Sequence, residues 1–328
     1  MDIQNKALDL SIVIAAYNEE HNVSELYKKI TNVMQKLIQK QKSEKNLEIN
    51  SYEIIFVDDG STDNTFYILQ DLAEKDKNLR IIKFRKNFGQ SAAWDAGFSY
   101  AKGKIIITMD ADLQNDPEDI PKLLLEMKNK NLDVVSGWRF NRKDSFTKKF
   151  FSKLAKFFRN IIINDKIHDS GCSLKAYKSE CLQDLELKGE MHRYITEILA
   201  LKGYKIGEVK VNHLPRKFGK TKYNLIRLPK GFLDLLVVAF WQKYSARPIH
   251  LFGSFGILMT FFGFLTGIYL LYLKFFKAVP ISNRPLLLLS ILFVILGIQF
   301  IIFGLIADIL IKLYYSGGKK NYSIEKIT

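Results

Sequence analysis

The sequence predicts an α/β domain built on a doubly wound, mostly parallel sheet and followed by two transmembrane helices. Short apolar runs with the pattern of buried strands alternate with polar helical stretches through the first 245 residues. Acidic clusters follow several of these runs. Two long and almost uncharged apolar segments then occupy most of the last 80 residues.

Four apolar runs have the length of buried strands. They are Leu10–Ala16, Glu53–Val57, Arg80–Phe84 and Lys104–Met109. The helical stretches between them cover about Asn22–Gln39, Asn64–Lys75 and Ser91–Ala101. Such alternation gives parallel strands joined by crossover helices, and ligands bind such sheets at the carboxyl ends of the strands.

Two segments are long enough to cross a bilayer as helices, which takes about 20 residues. Ile249–Leu273 carries no formal charge, and Pro285–Ile311 carries one, Asp308. Basic residues are concentrated before the first segment, at 216–247, and after the second, from Lys312 onwards. The positive-inside rule therefore predicts an integral protein of the cytoplasmic membrane, with the N-terminal domain and both termini on the cytoplasmic side.

Two further segments combine helical apolar spacing with a basic face, which is typical of helices lying in the membrane interface. They are 146–163, where packing on the sheet is the alternative, and Asn224–Tyr244, which leads into the first span. We therefore expect four parts: a domain at 1–223, a juxtamembrane helix at 224–246, two spans at 247–316 and a tail at 317–328.

The formal net charge of +15 over 328 residues implies an anionic partner. Nucleic acid, a membrane surface and phosphorylated small molecules all qualify. Because the positive charge lies mainly in the amphipathic and juxtamembrane segments, nucleic acid is disfavoured. The two cysteines, Cys172 and Cys181, lack metal-ligand spacing, so free thiols are expected.

The first two strand-like runs end in polar motifs. Tyr17 and Glu19 follow the first run, and a tyrosine with acids suits stacking on a base and hydrogen bonding to its edge. A helix N-cap at Asn18 is the alternative. The second run leads into Asp58 and Asp59, and paired acids are costly to bury unless they bind ribose, base or a cation.

The fourth run leads into Asp110 and Asp112. Two carboxylates at positions i and i+2 at a strand end could share one hard divalent cation, Mg²⁺ or Mn²⁺, with diphosphate oxygens completing its shell. The alternative is an acidic turn before Pro117.

Together the motifs AYNEE (16–20), VDDGSTDNT (57–65), RKNFGQSAAWDAG (85–97) and MDADLQNDPE (109–118) resemble those of the GT-A fold glycosyltransferases of family 2. The resemblance is to the polyprenyl-phosphate branch, which includes dolichol-phosphate mannose synthase and bacterial undecaprenyl-phosphate glycosyltransferases. It covers nearly the whole chain, including the two-helix tail. The QxxRW motif of processive synthases is missing from the sequence, which favours a single transfer.

The resemblance also implies roles for individual residues. Nucleotide binding falls to Ala16, Tyr17, Glu19, Asp58 and Asp59, and to Arg216 and Lys222 in a basic loop that could alternatively attract anionic lipid. Asp110 and Asp112 are expected to bind the metal, and together with Gln114 and Asp169 they form the expected catalytic set. Arg139 and Arg142 are expected to bind the acceptor phosphate; the alternative is that both are solvated surface charges.

The implied reaction is an inverting transfer of a sugar from a nucleoside-diphosphate sugar to a polyprenyl phosphate. UDP-glucose is the first choice of donor, with UDP-N-acetylglucosamine and GDP-mannose behind it. A phosphate acceptor is already anionic near neutral pH, with a second pKa of about 6, so no strong base is needed. A non-catalytic membrane scaffold is the alternative function, and the apolar helices offer surfaces for a homo-oligomer.

Overall fold

A computed structural model of the chain describes residues 8–41, 47, 49–140, 167–183, 185, 187, 189, 191–215, 240, 244, 247–281 and 285–316. The chain separates into two compact units, Met1–Leu235 and Leu236–Thr328. The interfacial helix predicted at 146–163, most of the juxtamembrane helix predicted at 224–246 and the tail at 317–328 lie outside the described residues.

The described strands of the first unit form one sheet. They are β1 (Leu8–Ala16), β2 (Tyr52–Asp58), β3 (Leu79–Lys83), β4 (Gly103–Asp110), β5 (Val134–Arg139), β6 (Lys175–Lys178) and β7 (Ile206–Val211). Their order is β3-β2-β1-β4-β6-β5-β7. Strands β1 to β4 pair in parallel, β6 runs antiparallel to both of its neighbours, and β5 pairs in parallel with β7. The prediction of a mostly parallel sheet is confirmed.

Both faces of the sheet are covered by helices, as a doubly wound fold requires. The described helices of this unit are α1 (Val23–Gln41), α2 (Thr65–Ala73), α3 (Gln90–Tyr100), α4 (Ile120–Asn129) and α5 (Ile195–Leu201). Successive residues of β1 face opposite sides. Ile12 packs in the core that includes α1 and α4, whereas Val13 packs in the core that includes α3 and α5.

The described helices of the second unit are α6 (Ile249–Lys277) and α7 (Pro285–Ser316). Only 17% and 11% of their most apolar 18-residue windows are buried. A core helix would be mostly buried, so both helices have the length and exposed apolar surface of membrane spans. Their backbones approach closely at small residues: a Cβ on Gly256 would lie 2.6 Å from the Gly297 carbonyl oxygen, and Ser290 Oγ donates to the Gly263 carbonyl oxygen at 2.7 Å.

Candidate active site

The ends of three neighbouring strands bring the acidic motifs among the predicted site residues to one edge of the sheet. Ala16 at the end of β1 pairs with Asp58 of β2, while Ala15 pairs with Asp110 of β4. Adjacent strands lie about 4.8 Å apart. The acidic motifs at the ends of β2 and β4 therefore flank the end of β1, as a ligand site at the carboxyl edge requires.

The segment after β1 is fastened to the segment after β2. Asn18, in a left-handed conformation with φ 56°, donates its backbone N–H to Ser61 Oγ at 3.0 Å. Its Oδ1 accepts from the Thr62 N–H at 2.8 Å. The first helix begins only at Val23, so Asn18 shapes this loop and is not the N-cap of α1.

The two predicted nucleotide-binding residues of this loop are placed differently. Glu19 donates its N–H to Thr65 Oγ1 at 2.8 Å and accepts from Asn22 Nδ2 at 2.6 Å, so its side chain supports the loop. Tyr17 is partly buried beside Ala16 at the sheet edge. Stacking of Tyr17 on a base therefore stays a prediction, whereas Glu19 holds the loop together.

Asp58 and Asp59 have different environments although they are adjacent. Asp59 accepts from the backbone N–H groups of Phe88 and Gly89, at 2.7 and 2.9 Å, and so fixes the loop that leads into α3. Asp58 is fully buried; its Oδ1 accepts from the Ser61 N–H at 3.0 Å, and its Oδ2 has no partner among the described residues. A buried carboxylate oxygen left unpaired is costly, so Asp58 is the better candidate to accept a ligand N–H.

We expect Asp58→Asn to weaken nucleotide binding by about tenfold or more, because an amide donor then replaces the unpaired acceptor while the bond to Ser61 survives. Isothermal titration with UDP and Mn²⁺ measures the dissociation constant. Asp71→Asn, which removes the same charge from an exposed site on α2, serves as the control. Equal affinities of the two variants would contradict the assignment of Asp58 to the nucleotide.

The turn after β4 holds two carboxylates close together. Asp110 Oδ1 accepts from Gln90 Nε2 at 2.6 Å, and Asp112 Oδ1 accepts from the Gln114 N–H at 3.2 Å. Leu113 between them adopts a left-handed conformation, with φ 61°. Burial, and then the charge of Asp112, raises the pKa of the Asp110 carboxyl above its ordinary value.

These two carboxylates fit a divalent cation. Asp112 is buried, Asp110 is partly buried and the two repel one another, so a shared hard cation would relieve the repulsion. Within the part of the chain that the structure describes, they are not joined by a third carboxylate, histidine or cysteine in a ligand cluster. Bound phosphates and water are the ligands that a hard cation commonly adds to such a pair of carboxylates.

The predicted acceptor residue Arg139 is paired with the predicted catalytic residue Asp169. Arg139 Nε and Nη2 donate to the two carboxylate oxygens at 2.7 and 2.8 Å, and the Arg139 backbone N–H donates to the same group at 3.2 Å. Burial lowers the pKa of Arg139, but the bonds to Asp169 outweigh it and the pKa lies above its ordinary value. Arg139 also interacts electrostatically with Asp110, which places its charge beside the acidic turn.

Because both oxygens of Asp169 accept from Arg139, this carboxylate orients the guanidinium group. The Gln114 carbonyl oxygen accepts from the Leu214 N–H at 2.9 Å, which ties the acidic turn to the segment after β7. Arg142, Arg216 and Lys222 lie outside the described residues, so their roles stay predictions.

The contact between His192 and Ser91 was not predicted from the sequence. His192 Nδ1 lies 2.8 Å from Ser91 Oγ, and the His192 N–H donates to the same oxygen at 3.2 Å. This fastens the turn Met191–Tyr194 to the start of α3, next to Gln90. Motif spacing gives no signal for it, because 101 residues separate the two partners.

Comparison with known proteins decides the family. The model described as "Glycosyl transferase family 2" matches residues 11–186. Dodecaprenyl-phosphate galacturonate synthase of Rhizobium johnstonii is 37% identical over 327 residues, which cover 98% of this chain and 94% of that protein. The chain belongs to glycosyl transferase family 2. This membership, in the polyprenyl-phosphate branch, confirms the family expected from the sequence motifs.

Other relatives of this family 2 glycosyltransferase support the same branch and the fold. Undecaprenyl-phosphate 4-deoxy-4-formamido-L-arabinose transferase of Proteus mirabilis is 32% identical over 330 residues, which cover 100% of this chain and 96% of that protein. Glucosyl-3-phosphoglycerate synthase from Mycobacterium tuberculosis, solved with Mn²⁺, UDP-glucose and phosphoglyceric acid, matches with a TM-score of 0.53 at 15% identity. That match covers 73% of this chain and 80% of the solved one, and it confirms the GT-A fold.

Proposed function

We propose that this glycosyltransferase moves one sugar from a nucleoside-diphosphate sugar to a polyprenyl phosphate and produces a polyprenyl-phosphate-linked monosaccharide. The observation that carries the proposal is similarity along the whole chain to two enzymes named for polyprenyl-phosphate products or substrates. The matched regions cover 98% and 100% of this chain, so they extend over both the catalytic unit and the two apolar helices. A transferase anchored by α6 and α7 can take a lipid acceptor that stays in its membrane.

The donor we propose is not UDP-glucose, which the family resemblance suggested first. The relatives are named for galacturonate and for 4-deoxy-4-formamido-L-arabinose, and neither is named for glucose. The galacturonate enzyme is the more similar of the two, at 37% against 32% identity. We therefore place UDP-galacturonate first, the UDP-linked formamido sugar second and UDP-glucose after both.

In this proposal each described residue has a limited task. Asp58 accepts a hydrogen bond from the edge of the base, and Gln90 orients Asp110. Asp110 and Asp112 would hold Mg²⁺ or Mn²⁺, which when bound neutralises charge that develops on the departing diphosphate. Arg139, oriented by Asp169, draws the acceptor phosphate to the same edge.

The transfer itself needs alignment more than it needs a base. An oxygen of the acceptor phosphate forms a bond to the anomeric carbon as the bond from that carbon to the nucleoside diphosphate breaks. The attacking oxygen is already negatively charged near neutral pH, where the second pKa of a phosphate is about 6. The enzyme must hold two mutually repelling anions in line, and a cationic group beside an acidic metal turn serves that purpose.

The donor assignment is tested with the purified full chain in detergent, undecaprenyl phosphate, Mn²⁺ and a panel of labelled sugar nucleotides. We expect label to enter the organic phase from UDP-galacturonate faster than from UDP-glucose, UDP-N-acetylglucosamine or GDP-mannose, and EDTA to stop the transfer. Transfer from UDP-glucose alone would overturn the donor assignment. Lack of transfer from every donor, with UDP still bound, would favour the non-catalytic scaffold.

A further inference from the structure

We propose that Glu208 is a positioning residue for the acceptor phosphate, acting on Arg139 through the turn that carries Asp169. The inference rests on the proposed function, because it assigns support for the same phosphate site. It concerns a strand, β7, that carries none of the residues in the sequence motifs.

The Glu208 carboxylate binds two consecutive residues of this turn. Its Oε1 accepts from the backbone N–H of His168 at 2.7 Å and from that of Asp169 at 3.1 Å. Its Oε2 lies 2.8 Å from His168 Nδ1. The Glu208 side chain is only 12% exposed, so these bonds are partly shielded from water. Two successive N–H groups held by one oxygen fix the direction in which the Asp169 side chain leaves the backbone.

The contacts form a closed circuit around Arg139. Arg139 lies on β5, which pairs in parallel with β7. In the register of this pair, Arg139 is the partner of Val211 and Ser136 is the partner of Glu208. Glu208 accepts from the backbone of residues 168 and 169, and the Asp169 carboxylate accepts two hydrogen bonds from the Arg139 guanidinium group. The turn is therefore bonded to β5 through Arg139 and to β7 through Glu208.

The other side of the turn has separate support. The buried side chain of Lys175, on β6, donates from Nζ to the Ser170 carbonyl oxygen at 2.8 Å. The Cys172 N–H donates to the Asp169 carbonyl oxygen at 3.3 Å. Loss of Glu208 should therefore remove the hydrogen bonds to the backbone N–H groups of residues 168 and 169 while the turn stays attached at Ser170 and Cys172. We expect the orientation of the Arg139 side chain to change and the fold of the domain to be retained.

Both carboxylate oxygens of Glu208 are engaged by the turn, so the group is poorly placed to act as a base or a metal ligand. Its substitution should change binding of the acceptor phosphate and leave nucleotide binding alone. That distinction separates positioning from a general structural role, which would alter both.

The experiment compares Glu208→Ala, Glu208→Gln and His168→Ala in the full-length enzyme with UDP and Mn²⁺ present. Binding of farnesyl phosphate, a soluble short polyprenyl phosphate, is measured by microscale thermophoresis. We expect Glu208→Ala to raise its dissociation constant by about tenfold or more, since bonds to a charged group are lost. Glu208→Gln keeps an acceptor for both N–H groups and should stay within about threefold, as should His168→Ala, which keeps both backbone bonds.

A double-mutant cycle with Arg139→Lys tests whether Glu208 acts through Arg139. If it does, Glu208→Ala should weaken farnesyl phosphate binding by less than about twofold in the Arg139→Lys background. An equal loss in both backgrounds would overturn the proposal, as would unchanged binding in Glu208→Ala alone. A fall in UDP affinity together with the melting temperature would also overturn it, because it would show a general structural role.

The outcomes for the two proposals remain separable. Farnesyl phosphate binding is read without turnover, so an enzyme that binds it but transfers no sugar would contradict the proposed function and still decide the role of Glu208. A wild-type enzyme that transfers sugar to undecaprenyl phosphate but does not bind farnesyl phosphate in any variant would overturn the role of Glu208 and leave the proposed function standing.

Discussion

Asp112→Asn is expected to lower the rate of sugar transfer by about 1,000-fold and to raise the melting temperature of the metal-free enzyme. The rate falls because one of the two carboxylates that would hold the cation becomes a neutral amide, and metal-ion stabilisation is worth several kcal/mol. The stability rises because the buried repulsion between Asp112 and Asp110 is removed. The amide oxygen can still accept from the Gln114 N–H, so the turn is retained.

Two assays check this prediction, one of label transfer and one of thermal unfolding with and without Mn²⁺ and UDP. Wild-type enzyme should gain several degrees on addition of Mn²⁺ and UDP, and the variant should gain much less. Glu118→Gln makes the same charge change at an exposed site in the same motif and should retain activity within about twofold. Normal transfer by Asp112→Asn would show that the acidic turn is not the metal site.

Arg139→Lys is expected to lower kcat/KM for the polyprenyl phosphate by about 100-fold and to leave UDP binding unchanged. A lysine can pair with Asp169, but it cannot hold both carboxylate oxygens and also present a further N–H to a phosphate. Initial rates at varied acceptor concentration, with UDP titration alongside, separate the two effects. Loss of donor affinity without a change in kcat/KM for the acceptor would contradict the assignment of Arg139 to the phosphate.

Removal of the whole Arg139 side chain should also affect stability, since the guanidinium group and the Asp169 carboxylate are only 13% and 15% exposed. Arg139→Ala leaves a buried carboxylate without its partner and should cost about 3–5 kcal/mol. The double variant Arg139→Ala with Asp169→Ala removes both charges, so it should recover most of that stability while staying inactive. Chemical denaturation gives the free energies of unfolding.

The parallel half of the sheet was predictable because its strands are buried on both faces. Such strands appear in the sequence as continuous apolar runs, as at Leu10–Ala16. Strand β6 gave no such signal, since it has four residues of which two are lysines. Lys175 is buried there and its Nζ donates to the Ser170 carbonyl oxygen, a tertiary contact that the local pattern does not show.

The two apolar helices begin at Ile249 and Pro285, the residues at which the predicted spans begin. The first helix continues to Lys277, beyond the predicted end at Leu273. Lysines at a helix end can extend their charged groups towards the membrane surface while their methylene chains stay against the helix. The helix can therefore continue past the uncharged residues. Asp308 in the second helix pairs with Lys312 at 2.8 Å, one turn away.

The site was predictable where it depends on strand ends and not where it depends on loops that fold back. Asp58 and Asp110 are the last residues of their strands and Asp112 follows two residues later, so the sheet alone brings them to one edge. The different environments of Asp58 and Asp59 arise only because the loop at 86–89 returns to Asp59. The link from Arg139 to Asp169 spans 30 residues, and the link from Asp169 to Glu208 spans 39. No spacing rule applies over such distances.

The most direct test of the central claim is mass spectrometry of the products formed by the full-length enzyme from undecaprenyl phosphate and UDP-galacturonate with Mn²⁺. We predict a lipid that carries one hexuronic acid through a single phosphate, together with an equal amount of UDP. A lipid joined to the sugar through a diphosphate, with release of UMP, would contradict the account. So would UDP and free sugar without any lipid product.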